Sequence, residues 1–174
     1  MNSKYTHIKH EFEPVFDENS KILILGTLPS VKSRENNFYY GHPQNRFWKL
    51  IGALCQEKNV PQTIESKKEM LLRNHIAVWD VISECDIIGS SDSSIKNVIP
   101  TDLSLILKDA EIDRIYANGG KAYELYMKYQ HDKTGREIVK LPSTSPANAA
   151  YSLDRLKECW KCVVVSQKYY NILL

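Results

Sequence analysis

Four apolar, β-branched runs punctuate the chain: KILILGTL at 21–28, HIAVWDVI at 75–82, RIYANG at 114–119 and EIVKLPS at 137–143. Each is short and rich in Ile, Val and Leu, the pattern of a strand covered on both faces. Between them lie helical patterns: RFWKLIGALCQEK from 46, a Lys- and Glu-rich piece from 65, TDLSLILKDA from 101 and GKAYELYMKYQHD from 120. Thr101 and Asp102 are candidate caps of the third of these. SLDRLKECWKCVVVSQKYYNILL closes the sequence; its front half is amphipathic and helical, and VVVSQKYY either finishes that helix or forms another strand.

Strands alternating with helices predict an α/β fold, a three-layer α/β/α sandwich around a mainly parallel four-stranded sheet. In such sheets the ligand crevice lies beyond the carboxyl ends of the strands. The segments leaving those ends are GTLPSVKS, WDVISECD, NGGK and LPSTSPAN, all rich in small or polar residues. A length of 174 residues suits one domain able to bury its own core. We place that domain at 20–174, with residues 1–19 as an N-terminal arm and 83–97 as a polar loop within the domain.

With 43% hydrophobic and 25% charged residues, the chain falls among ordinary globular sequences rather than disordered ones. No apolar run approaches a membrane span, and MNSKYTHIKHEFE lacks the apolar segment of a secretory signal. The expectation is a cytoplasmic, intracellular protein with no membrane partner. Only Cys159 and Cys162 among the four cysteines form a C-x-x-C pair, and that pair sits inside a helical pattern. Reduced thiols are therefore expected, with neither a metal site nor a redox motif. His7 and His10 are spaced i, i+3 near Glu11 and Glu13, but on a polar arm they make a poor metal site.

YYGHPQNRFW at 39–48 concentrates aromatic rings with His42, Gln44, Asn45 and Arg46, a mixture suited neither to a plain surface loop nor to a core element. Lys32, Arg34, Arg46 and Lys49 stand against Glu35 alone between 31 and 50, which makes either a phosphate-facing rim or a solvated face. In GTLPS at 26–30, Gly26 can let a ligand approach the backbone, or the segment can be a simple turn. LPSTSPAN at 141–148 offers three hydroxyls and two prolines, suited either to phosphate contacts or to capping the helix that follows. Neither glycine-rich nucleotide-binding pattern is present, which disfavours dehydrogenase and P-loop readings.

Taken together, GTLPS after the first strand, the aromatic HP-x-NRFW segment and an S-P-x-N loop after the last strand resemble the uracil-DNA glycosylase superfamily. The resemblance runs from about residue 20 to the C-terminus. Its HP-x-NRFW core is similar to the mismatch-specific uracil and thymine branch. GTLPSVKS, YYGHPQNRFW, WDVISEC and LPSTSPANA together look most like the hypoxanthine-DNA (deoxyinosine) glycosylase branch. Two departures stand out. Leu28 replaces the Asn or Asp with which several sister families orient water, and Ser143 replaces the His that often begins the second motif.

The resemblance implies a monofunctional hydrolase of N-glycosyl bonds, acting in base excision repair on double-stranded DNA with a deaminated base. It implies no cofactor, and we expect a monomer. In the hypoxanthine branch the catalytic role passes to the asparagine of HP-x-N, here Asn45, whose amide oxygen can hold a water beneath the sugar; without the family, a structural amide bracing the turn is an equal reading. Alignment with the mismatch branch puts Tyr40 at the stacking platform, with Tyr39, Phe47 and Trp48 in the core. Gly26 belongs to the pocket. Asp80 as acceptor and Asn118 as donor can read the hypoxanthine edge, whose polarity is opposite to that of adenine; a cap and a turn are their plain alternatives. DNA contacts fall to Ser30, Ser33, His42, Ser143, Thr144, Ser145, Pro146, Ala147 and Asn148, though His42 can equally brace its loop. Uracil presents the same oxo and ring N–H pair, so a uracil or G:U/T mismatch glycosylase stays open. So does a noncatalytic nucleic-acid-binding domain of the same fold.

Overall fold

The computed structural model describes residues 4–164. Its centre is a fully parallel four-stranded sheet of β2 (Ile22–Gly26), β3 (Ile76–Asp80), β6 (Arg114–Asn118) and β7 (Ile138–Leu141), in the order β3-β2-β6-β7. Every residue of β2 and β3 is buried, which explains why both read as continuous apolar runs rather than alternating ones. Register pairs Gly26 with Asp80 and Asn118 with Leu141, so the strands end together at one edge of the sheet.

Helices flank this sheet: α1 (Val31–Glu35), α2 (Phe47–Leu54), α3 (Ile64–Arg73), α4 (Ser104–Leu107), α5 (Gly120–Tyr129), α6 (His131–Thr134) and α7 (Leu153–Trp160). A capping box between Thr63 and Ser66 starts α3, which packs on β3, and Ser152 caps α7, which packs on α2. Phe47, Leu50, Ile51, Leu156 and Trp160 are buried where α2 and α7 meet the core. These features bear out the α/β architecture with its parallel sheet.

Residues 83–97 are not simply a polar loop. β4 (Ile82–Ile87) and β5 (Lys96–Pro100) bracket a short 3-10 turn at Asp92–Ser94, and both strands join β1 (Thr6–Lys9) in an antiparallel sheet ordered β1-β4-β5. The sheet is half exposed and its β4–β5 register slips twice, so its residues lack the hydrophobic signal of the central strands. Thr101 is not a helix cap: its hydroxyl donates to the carbonyls of Asp80 and Val81, while Asp102 accepts from the Ser104 amide ahead of α4. GKAYELYMKYQHD divides into α5 and α6. After α7 a further helical turn covers 162–164, and the rest of VVVSQKYY lies outside the described residues.

The N-terminal arm does not hang free. β1 pairs with β4 from Thr6↔Ile87 to Lys9↔Glu84, Val15 bridges Val78, and the Tyr39 hydroxyl donates to the Glu13 carbonyl at 2.7 Å. Among the described residues no helix is long and apolar enough to cross a membrane.

Candidate active site

At the shared carboxyl edge of β2, β3 and β6 lies a cavity of about 400 Å³, a size typical of small-ligand sites. Gly26, Asp80 and Asn118 enter its wall from the strand ends, and Tyr40, Asn45 and Thr144 enter it from loops. The parallel register carries the first three there, while the turn before α2 and the loop after β7 carry the others.

Gly26 is glycine because of its neighbour. A Cβ at that position would stand 2.3 Å from Asp80 Oδ1 and 3.1 Å from the Tyr40 hydroxyl, so any side chain would displace the carboxylate. A carboxylate oxygen that can only accept and a hydroxyl that can donate therefore converge on one bare backbone position. Asp80 is 4% exposed, and its Oδ1 has no hydrogen-bond partner among the described residues. The Tyr40 hydroxyl oxygen is buried without a partner in hydrogen-bonding geometry. Burial, reinforced by the charge of Asp80, pushes its pKa well above the ordinary value, and the nearby Asn118 carboxamide offsets only part of that rise. The phenol thus stays protonated and available as a donor.

The Tyr40 ring stacks on Phe47 with centroids 3.9 Å apart and planes 20° from parallel. It remains half-buried and lines the cavity, whereas Tyr39, Phe47 and Trp48 lie in the core as expected. Tyr40 holds a φ of +52°, a left-handed conformation that costs a side-chain-bearing residue about 1–2 kcal/mol. The fold sustains that strain at a cavity-lining ring, as functional positions commonly do.

Asn45 sits at the turn before α2. Its Oδ1 accepts from the Phe47 amide at 2.9 Å and from the Thr144 hydroxyl at 2.9 Å. Because a main-chain N–H can only donate, the oxygen must face that way, and Nδ2 is the end left for the cavity. This corrects the expectation that the amide oxygen holds water: both of its lone pairs are engaged. Thr144 in turn accepts from Asn118 Nδ2 at 3.0 Å, and its amide donates to Asn118 Oδ1 at 3.0 Å. Asn118, Thr144 and Asn45 thus form one directed chain across the cavity wall. Asn118 keeps a second amide hydrogen.

Thr144 is fully buried, so it braces the two carboxamides and cannot touch DNA as the sequence suggested. Ser33 is corrected in the same way. It is 2% exposed, and its hydroxyl accepts from the Gly41 amide at 2.9 Å and bonds to Ser30, which caps α1. Around Thr144 the loop holds itself rigid. Ser143 Oγ accepts from the Ser145 amide, Ser145 Oγ accepts from the Ala147 amide, and Asn148 donates back to the Ser143 carbonyl. Pro146 is half-buried and Ala147 exposed, which leaves Ala147 at the tip. His42 Nδ1 accepts from the Gln44 amide at 3.1 Å, bracing its own turn while Nε2 faces elsewhere. At the two positions where the chain departs from sister families, Leu28 lines the cavity with hydrocarbon and Ser143 is occupied within its loop.

The sequence reading missed the roles of two residues. Arg46, singled out there as part of the 39–48 cluster and as a positive charge, clamps the loop: its guanidinium donates to the carbonyls of Thr144, Tyr151, Ser145 and Asn148. His10, dismissed with the polar arm, bonds to Asp80 Oδ2 at 2.7 Å. Its separation of 70 residues from Asp80 left no local signal.

The chain is similar to known proteins over most of its length. The profile described as the uracil DNA glycosylase superfamily matches residues 13–164. A hypoxanthine DNA glycosylase of Methanosarcina acetivorans is 38% identical over 159 residues, covering 90% of this chain and 98% of the relative. A second, of Methanosarcina barkeri, is 38% identical over 156 residues, covering 87% and 95%. The solution NMR structure of a candidate uracil DNA glycosylase from Methanosarcina acetivorans superposes with a TM-score of 0.77 at 38% identity, covering 91% of this chain and 97% of that one.

Proposed function

The chain belongs to the uracil DNA glycosylase superfamily, and on that premise we propose that it is a monofunctional DNA glycosylase that hydrolyses the N-glycosidic bond of deoxyinosine and releases hypoxanthine. It acts inside the cell, as a monomer and without a cofactor, on double-stranded DNA carrying a deaminated base. The observation that carries this reading is the pairing, over Gly26, of an unpartnered acceptor, Asp80 Oδ1, with an unpartnered donor, the Tyr40 hydroxyl. Hypoxanthine presents an oxo group beside a ring N–H, which that pair matches. Adenine presents an amine beside a bare nitrogen; the phenol can accept from the amine, but the nitrogen sets acceptor against acceptor at Asp80 Oδ1 and leaves that buried oxygen unsatisfied.

The base must leave the helix to arrive here, at a cost of a few kcal/mol. The rigid 143–148 loop, with Ala147 at its tip, presses into the gap and along the phosphates, helped by Ser30, Ser143, Ser145, Pro146, Asn148 and Nε2 of His42. The Tyr40 ring, backed by Phe47, walls the pocket and holds its hydroxyl against the edge of the extruded base. As the glycosidic bond lengthens the sugar gains oxocarbenium character and the purine gains negative charge. Donors at the oxo group, from Tyr40 and from the second amide hydrogen of Asn118, strengthen in step with that charge. Asn45 donates through Nδ2 to a water oxygen under the sugar, fixing it for attack on C1′. A neutral amide cannot remove the proton: the water loses it to solvent as its oxygen bonds C1′ and the C1′–N9 bond breaks, and the hypoxanthine anion takes a proton from solvent, so most of the barrier reduction comes from stabilising the departing base.

Oligonucleotides containing inosine, uracil, xanthine or ethenoadenine, incubated with the protein and then treated with alkali, test the proposal. Inosine strands should break fastest. Preferential cleavage of uracil would replace the reading with a uracil or mismatch glycosylase, and retained binding without cleavage would replace it with a noncatalytic binding domain.

A further inference from the structure

His10 follows β1 and its ring packs edge-on against Phe12, centroids 5.3 Å apart, and obliquely against Tyr39 at 5.9 Å. Its side chain is 4% exposed and that of Asp80 5%, so their 2.7 Å contact is shielded from water. The Phe12 amide donates to His10 Nδ1 at 3.2 Å. A ring nitrogen that accepts a main-chain N–H carries a lone pair, so the ring proton resides on Nε2 and points at Asp80 Oδ2. Oδ2 is thereby fixed as an acceptor, and Oδ1 is the oxygen left facing the cavity beside Gly26.

We propose that His10 is a positioning residue for damage recognition: by donating to Oδ2 it locks the plane of the Asp80 carboxylate and presents Oδ1 to the base as an obligate acceptor. The inference rests on the reading of Asp80 as the base-edge acceptor. Without the His10 donor the carboxyl group is free to turn about its terminal torsion, and Oδ1 is no longer held in line with the ring N–H that distinguishes hypoxanthine from adenine. The N-terminal arm is therefore part of the specificity apparatus.

His10→Phe keeps the ring packing and removes the donor, and His10→Asn keeps an amide too short to reach Oδ2. His10→Gln places an amide N–H near the position of Nε2. Each is assayed for melting temperature, affinity for abasic-site DNA, and single-turnover cleavage of inosine and adenine strands. The Phe and Asn variants should lose about tenfold or more on inosine and narrow the inosine-over-adenine preference with abasic-site affinity unchanged; Gln should stay within about threefold of wild type. Wild-type selectivity in His10→Phe and His10→Asn would overturn the inference, as would an equal loss in all three variants accompanied by lost DNA affinity. The parent reading has its own control. If Asp80→Ala excised inosine normally, the acceptor role of Asp80 would fall and this inference with it, whereas impaired Asp80→Ala beside normal His10 variants would reject His10 alone.

Discussion

In the proposed reaction Asn45 and Tyr40 each combine a structural duty with a chemical one, and substitution separates the two. Asn45→Ala removes an acceptor from the Phe47 amide and from Thr144, a loss of about 1 kcal/mol by the usual worth of such a helix-start bond. If Nδ2 also steers water, single-turnover inosine cleavage should fall roughly 10²-fold or more, far beyond what that stability loss explains. Rapid-quench assays beside urea melts measure both. Tyr40→Phe should show the reverse balance. Deleting a buried, unpartnered hydroxyl leaves stability unchanged or raises it by up to about 1 kcal/mol, and stacking on Phe47 persists. Inosine cleavage should nevertheless drop about tenfold, the equivalent of one lost hydrogen bond of roughly 1.4 kcal/mol. Wild-type cleavage by Tyr40→Phe would mean that the hydroxyl does not read the base.

The loop after β7 owes its shape to a residue in another element. The planar fork of Arg46, just ahead of α2, satisfies carbonyls from Thr144 to Tyr151, a task for which a lysine ammonium has the charge but not the geometry. Arg46→Lys should fold, yet bind abasic-site DNA about tenfold more weakly, because the loop must be ordered at the moment of binding; fluorescence anisotropy checks this. How much could be read from sequence differs by element for physical reasons. β2 and β3 are plain because strands buried on both faces carry uninterrupted apolar runs, β6 is buried beyond Arg114, and the half-exposed edge strand β7 still shows through Ile138, Val139 and Leu141; the strand-end rule then delivers Gly26, Asp80 and Asn118. β4 and β5 escaped because half-exposed strands with slipped register dilute their alternation with Ser, Asp and Lys. Tyr40 and Asn45 stand out within the 39–48 cluster, but the roles expected of them come only through the family resemblance. Thr144 was placed on the DNA surface because nothing in STSPAN distinguishes a buried hydroxyl from an exposed one.

Across the whole molecule, surface charge gives stability a defined pH window. Bonds from Asp86 and Glu84 raise the pKa of His7 above 6.5, and bonds from Glu137 and Asp132 raise that of His131. Their stabilisation is complete below pH 6.5 and disappears as pH climbs through the raised values. Asp86, bonded by Asn97 and His7, and Asp102, bonded by Ser104, titrate below 3.8; their stabilisation is present above 3.8 and disappears as pH falls through the depressed values. Melting temperatures scanned across pH should therefore carry a shallow maximum between those limits, flattened by high salt because all four groups lie at the surface. A steeper profile that salt leaves untouched would place the titrating groups in the interior. The pairing of Thr6 with Ile87 also bears on biogenesis. A growing polypeptide makes β1 and the His10 that follows it long before β4 emerges, so that early stretch waits unpaired and the candidate pocket is among the last parts to close. Fusions that tether or crowd the leading segment should slow maturation of activity more than they slow collapse of the central sheet.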